Sequence, residues 1–402
     1  MTTYGYDAEG NVTSIVDPLG NTTTYTYDAD NNLVGVKDAL GNTTAYGYNN
    51  DNQLVSTTSP LGGVTTYTYT RVGELATVTL PGQTASTSYQ YDGDGNLTSV
   101  TDPLGNQTVY AYDNMNREAS MTVYPNGSTA ATTYYSHDAN GNLTSETNAL
   151  GYATTYVYDA GNELTSQTAP SGGGTTSYGY DLAGRLTSLT DPAGNITSYT
   201  YTTANQVATE TNPMGGVTSY SYDLVGNETS ATDPLGRSTD YAYDANNRLT
   251  TETWANPNGA PLDVITTTYD LAGNVTKISD NYATYTCTYN KDNQVATASD
   301  AGSPGLPSVT LSYGYDANSN PTSMADSLGG TVSYTYDALN QLTNETLSGT
   351  GLSPQAVAFG YDAAGRLTSL NRYSNRVRSQ NRATPRRVFV RIPERAETKQ
   401  LG

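Results

Sequence analysis

The chain has 402 residues and a formal charge of -20, from 18 Lys+Arg against 38 Asp+Glu, a balance that argues against a nucleic-acid partner. One His and one Cys exclude a site built from two imidazoles, a multi-cysteine metal site and an internal disulfide framework, and most hydrolase and metalloenzyme chemistry falls with them. Tyrosine occurs 36 times beside 2 Phe and 1 Trp, a bias that directs attention to internal repeats.

The start, Met1-Thr2-Thr3-Tyr4-Gly5-Tyr6-Asp7, has neither the basic nor the apolar region of a secretory signal. No stretch approaches the ~20 apolar residues of a membrane-spanning helix. Aligning on the Tyr-Asp pair gives seventeen units, with the second Tyr slot at positions 6, 27, 48, 69, 91, 112, 137, 158, 180, 201, 222, 243, 269, 289, 315, 336 and 361. The spacing is 21 in nine of the sixteen intervals. The long intervals carry their extra residues at Pro125-Asn126-Gly127, Asn256 to Pro261, Gly302 to Pro307 and Gly349 to Pro354, which are therefore loop tips. Met1 falls inside the repeat phase, so the chain reads as a fragment of a longer array.

One unit shows the logic. Tyr91-Asp92 opens a turn closed at Gly95. Leu97 to Thr101 is a short strand rich in β-branched residues, Asp102-Pro103-Leu104-Gly105 is a second turn, and Thr108 to Tyr112, with Tyr110 and Tyr112, is the returning strand. Each unit is a β-hairpin. Pro103 presets φ for a type I turn, Gly105 completes it and Asp102 can bond the turn amides. Three residues after each Asp slot stands Gly (10, 73, 95, 141, 184, 226, 273, 365) or Asn (31, 52, 116, 162, 205, 247, 293, 340), with Ser319 the one departure. Gly and Asn share a tolerance of positive φ, so a left-handed residue is expected there. From Gly141 to Asn293 the two alternate strictly, which hints at a two-hairpin period of about 42 residues.

Counting by twos puts Leu97, Ser99 and Thr101 on one side of their strand. The Leu slot is apolar in fourteen of seventeen units, with Glu118, Glu228 and Pro321 the exceptions, and it is expected to share the packed face with both Tyr slots. Glu146, Gln167, Glu210, Glu252 and Glu345 are expected on the opposite, wet face. Thirty-four strands at ~4.8 Å would form a flat ribbon on the order of 160 Å long, against a diameter on the order of 50 Å for a compact chain of this length. Twist and the need to cover one face imply about one coil of a wide spiral, and no helix longer than two turns.

The recurring Tyr-Asp-x-x-Gly-Asn/Arg-Leu-Thr-Ser with Asp-Pro-Leu-Gly-Asn, whole from Tyr91 to Gly105 and from Tyr180 through Asp181, Gly184 and Leu186 to Asn195, resembles the Rhs/YD-repeat family. The resemblance covers about residues 1–370. It implies an all-β fold of tandem ~21-residue hairpins in a continuous, spiralling antiparallel sheet, part of an open β-shell like those of bacterial Rhs polymorphic toxins, insecticidal toxin-complex proteins and teneurins. It also implies a secreted or cell-surface protein, with further repeats or a toxin cargo as partners. The terminal core segment, self-cleavage aspartates and variable toxin tip of such proteins have no counterpart here.

Residues 371–402 change character, carrying nine of the eighteen basic residues and two acidic ones. Three readings compete: a disordered or out-of-frame tail, a basic arm docking onto the acidic body, and a nucleic-acid element, which the body's charge would repel. His137 and Cys287 occupy Tyr slots and read as substituted face residues, separated by some seven hairpins. Asp92-x-Asp94-x-Asn96 imitates half a calcium loop, but Pro103 stands where the Glu should be. The sequons at Asn11, Asn96, Asn142, Asn195, Asn227, Asn274 and Asn344 fall out of the repeat itself. No catalytic, cofactor or metal site is expected. The leading expectation is a non-catalytic shell segment whose open ends self-associate or need further repeats. The alternative is an adhesion module binding carbohydrate or a partner cell. Only that alternative needs an aromatic cluster on the wet face, from among Tyr124, Tyr134, Tyr152, Trp254, Tyr282 and Tyr285.

Overall fold

The structure, a computed structural model, describes residues 1–125, 129–300 and 308–374. It is all β: thirty-four strands run from β1 (Thr3–Tyr6) to β34 (Leu367–Ser374), and each pairs antiparallel with its neighbours in sequence, as β9 (Thr87–Tyr91), β10 (Leu97–Thr101), β11 (Gln107–Tyr112) and β12 (Glu118–Tyr124) do. Among the described residues the helical content does not exceed short 3-10 turns such as Pro170–Gly172. The boundary expected at residue 370 cuts through β34, so the basic segment begins inside the sheet; residues 375–402 lie outside the described residues.

Both kinds of turn have the same build. The amide of Asp92 donates to Asn96 O at 3.0 Å and that of Gly95 to Asp92 O at 3.2 Å, while Asp92 Oδ1 accepts from the amides of Asp94 and Asn96, both at 2.9 Å. At the other edge Gly105 N donates to Asp102 O at 2.9 Å, and Asp102 Oδ1 accepts from Leu104 N at 2.9 Å and Asn106 N at 2.8 Å. This is a type I turn closed by a left-handed residue, with an Asp carboxylate satisfying the loop amides. All seventeen expected left-handed positions have positive φ, from 58° at Asn52 to 100° at Gly226, and Ser319 conforms at 69°.

Neighbouring hairpins are keyed to one another at these turns. The residue after the left-handed one reaches forward to the next unit. Where it is Asn, the next left-handed residue is Asn, and the two amides bond: Asn11 to Asn31 and Asn32 to Asn52 at 2.9 Å, Asn142 to Asn162 at 2.8 Å. Where it is long, the next left-handed residue is Gly: Gln206 Nε2 donates to Gly226 O at 3.1 Å, and Glu163 Oε1 lies 2.5 Å from where a Cβ on Gly184 would stand. Size complementarity explains the Gly/Asn alternation, with Arg185 facing Asn205 and Gln294 preceding Ser319 as the departures.

The facing assignment needs correction. Leu97 pairs with Tyr91, but Ser99 pairs with Gln90 and Val100 with Tyr89, because Thr98 is bulged out of register. The bulge shifts parity by one, so Leu97 and Val100 share the tyrosine face while Ser99 points the other way, its hydroxyl donating to Gln90 Oε1 at 3.2 Å. The same shift occurs in other units. Glu146, Gln167, Glu210, Glu252 and Glu345 stand directly opposite Tyr135, Tyr156, Tyr199, Tyr241 and Tyr334, on the tyrosine face and not on the opposite one.

Two measurements check this local code. Gly141→Val should cost about 1–2 kcal/mol more than Ala139→Val in thermal unfolding, because φ at Gly141 is 94°. Gly184→Asn alone should lower the melting temperature by collision with Glu163, and adding Glu163→Asn should recover most of the loss, a non-additivity that a double-mutant cycle reads directly.

Candidate functional site: the tyrosine face and the seam of the coil

The tyrosine face is held by a hydrogen bond the sequence does not announce. Backbone pairing between β10 and β11 covers only Ser99 to Thr101, leaving the Leu97 end of β10 unpaired on that side. The Tyr112 hydroxyl crosses the gap and donates to Leu97 O at 2.8 Å. The contact recurs: Tyr69 to Leu54 O at 2.7 Å, Tyr180 to Leu164 O at 2.9 Å, Tyr201 to Leu186 O at 2.6 Å, Tyr243 to Glu228 O at 2.8 Å. A carbonyl left by the bulge is satisfied by the next hairpin's Tyr, which accounts for the near-invariance of that slot along the chain.

Burial pushes the phenols up along this face, helped by glutamates from the Leu slot and from beyond the bulge: Glu118 and then Glu146 at Tyr135, Glu228 and then Glu252 at Tyr241. Tyr289 is pushed up to about 12, by burial and then by Cys287. Burial also raises the Cys287 thiol, the opposite of what a nucleophile needs. Cys287 pairs with Ala298 and His137 with Leu143, and the two lie fourteen strands apart, on β27 (Thr284–Tyr289) and β13 (Ala131–His137). Arginines also stack here: the Arg185 guanidinium lies 4.7 Å from the Tyr201 ring centre and that of Arg248 lies 4.5 Å from Tyr269.

The turn residues singled out in the sequence lie along the two edges of the sheet. Asp92, Asp94 and Asn96 are engaged with their own turn, and no group of three or more metal-ligating side chains occurs among the described residues. Pro103 and Gly105 shape the opposite edge. Asp92 is held below the usual carboxylate range by the Asn96 side chain, Asp181 by the side chain and amide of Arg185, and Asp113 is lowered to about 2 by Arg117. Of the six aromatic residues outside the regular slots, Tyr124 and Tyr134 stand on the face opposite the tyrosines. Tyr134 pairs with Ser120, four residues from Tyr124, about 13 Å along the strand. Trp254 and Tyr285 belong to the tyrosine face, where the Trp254 indole donates to Glu252 Oε1 at 2.6 Å, and Tyr152 and Tyr282 sit in turns.

The long-range geometry lies in a seam. The turn between β4 (Leu33–Lys37) and β5 (Thr43–Tyr48) meets that between β27 and β28 (Val295–Asp300), twenty-three strands later: Ala39 N donates to Asp292 Oδ1 at 3.1 Å. Leu61 N donates to Asn318 Oδ1 at 3.2 Å, and Gln83 Nε2 to Ala363 O at 2.8 Å. The sheet therefore returns onto itself after 23 to 25 strands, a contour on the order of 115 Å at ~4.8 Å per strand. Sequence reasoning missed these residues, although each seam turn departs from Asp-Pro-Leu-Gly. Ala39 replaces Pro and supplies an amide. Ser59 bonds Gly63 N at 3.1 Å and leaves Leu61 N free to cross, whereas Asp102 occupies Leu104 N; the third turn ends in Gln83.

The RHS repeat family matches ten stretches between residues 6 and 352, including continuous cover of 6–85 and 137–256. The chain belongs to the RHS repeat family. Its fold is similar to crystal structures of TcdB2-TccC3-TEV (TM-score 0.68, 15% identity) and TcdB2-TccC3-Cdc42 (TM-score 0.67, 16% identity), in each case over 91% of this chain and 26% of that one. It is also similar to a Photorhabdus luminescens Tc holotoxin pore (TM-score 0.58, 17% identity, 90% of this chain and 23% of the other). The chain thus spans about a quarter of the structures it matches. No match is found among proteins of curated function.

Two outcomes follow. Tyr112→Phe should lower stability by about 1 kcal/mol, and His137→Tyr should raise the melting temperature by restoring a hydroxyl near Glu118 O. Acid unfolding should follow the turn aspartates: with native pKa values held below the ordinary 3.8, their contribution is present above that value and lost as pH falls toward about 2, as a pH series of melting temperatures would show.

Proposed function

We propose that the chain is a wall segment of an RHS-type shell, structural and without catalysis of its own, within an exported or surface-exposed protein whose shell encloses polypeptide. The observation that carries this reading is the seam: a single sheet that curves until early turns bond to late ones is built to surround space. The similarity to TcdB2-TccC3 structures supports it, as does the raised pKa of Cys287, the one thiol. The regular residues Tyr91, Asp92, Gly95, Leu97, Asp102, Pro103, Gly105, Tyr110, Tyr112, Tyr180, Asp181, Gly184 and Leu186 then serve as fasteners of the wall. The adhesion alternative needs a wet-face aromatic cluster, and the separation of Tyr124 from Tyr134 does not favour it.

The test fuses a short unstructured, protease-sensitive reporter after Gly402. Slower cleavage than of the free reporter is expected; equal rates would count against enclosure.

A further inference from the structure

One seam contact brings two carboxyl groups together. Asp38 lies in the turn after β4 and Asp292 in the turn after β27, and both line one cleft across the seam, with Asp292 Oδ1 accepting at 3.1 Å from the amide of Ala39, the residue next to Asp38. Two carboxylates held that close repel each other unless one of them takes up a proton. Asp38 is fixed as an acceptor by its own turn, taking Asn42 N at 2.7 Å and Asn42 Nδ2 at 2.8 Å. Asp292 accepts Ala39 N and is positioned by its amide's bond to Asn290 Oδ1 at 3.0 Å. The cleft they share, about 310 Å³, is lined also by Asp17, Asn21, Lys291, Asn293 and Ser319.

We infer that this pair makes the seam a pH-responsive clasp, closed when Asp292 carries a proton and weakened when both carboxyls ionise. The inference concerns the coil itself and does not depend on what the shell encloses. Burial, and then Asp38, push Asp292 above the ordinary carboxylate value of 3.8. An opened seam exposes Asp292 to water and returns it toward that value. Closing therefore takes up a proton, its gain is complete below the ordinary value, and it is lost as pH rises through the raised one.

The other charged groups do not cancel this. Lys291 is exposed at the rim of the cleft, and the Lys37 side chain lies along Gly41, its Cε 3.6 Å from where a Cβ would stand. Asp17 has a lowered pKa despite burial, through Asn21, Leu19 N and Asn293, so it stays ionised across this range. Asp316, in the turn that carries Ser319, accepts from Asn318 N and Asn320 N at 2.9 Å and belongs to its own turn.

The readout is hydrogen exchange of the peptide carrying Ala39 and Leu40 in the full chain, corrected for intrinsic rates, from about pH 4, near the ordinary carboxylate value, to about pH 8. Its protection should fall as pH rises. The Leu104 amide, bonded within its own turn, should hold constant. Asp292→Asn keeps an acceptor for Ala39 N and a donor toward Asp38, so its profile should be flat and protected throughout. If that variant loses protection everywhere through misfolding, Asp38→Asn, which removes the same repulsion, takes its place with the same expectation. A flat wild-type profile, a rise with pH, or coincident wild-type and variant profiles would overturn the clasp. None of these outcomes bears on the reporter-protection test, so the two readings fail separately.

Discussion

The structure depends on a carboxylate that holds two backbone amides beside a left-handed residue. At Asp92 and at Asp102 the same arrangement closes opposite edges of the sheet, so every hairpin leaves its turns at fixed length and orientation. Strands of four to nine residues then repeat a common twist, and the edge with the Asp102-type turns comes round to meet the edge with the Asp92-type turns. No thick core is needed or present. Among the described residues only Ala255 and Ala298 are buried apolar side chains, and both faces remain partly open. Stability is a sum of neighbour terms, as in other repeat arrays. Those terms are the ladder, the Tyr hydroxyl on the preceding unit's carbonyl and the amide or long side chain reaching the next left-handed residue.

Much of this was legible because it is local. The left-handed slot announces itself through Gly and Asn, and the same reasoning holds at Ser319, where side-chain preference alone would not have placed it. The second turn was readable from Asp102, Pro103 and Gly105. The sides of the strands were not. Counting by twos fails at one bulged residue, Thr98 and its equivalents, and nothing in Leu-Thr-Ser marks which residue will bulge. The error moved five Gln and Glu residues to the wrong face, among them Glu146 and Glu252, which add to burial and to Glu118 and Glu228 in raising Tyr135 and Tyr241.

The seam was illegible for a different reason. Its partners lie 253 to 280 residues apart in sequence, and the bonds are single turn amides and side-chain amides with no local periodicity. The clue was negative: the turns at Ala39, Ser59 and Gln83 fail to match their own consensus. Departures in a repeat are informative because the consensus turn satisfies itself. Only a turn that does not, as when Ser59 leaves Leu61 N unclaimed, has a donor to offer another coil. The same logic separates His137, a lost fastener, from Asp292, a gained one.

The central claim is that the chain by itself coils until early turns meet late ones. Leu61→Cys and Asn318→Cys, with Cys287→Ser, place a thiol pair at the seam, where Leu61 N and Asn318 Oδ1 stand 3.2 Å apart. Treatment of the dilute, folded chain with a short bis-maleimide should yield a single species that remains monomeric under denaturing conditions and carries a 61–318 cross-link. Absence of that cross-link, or its appearance only between chains, would contradict the coil.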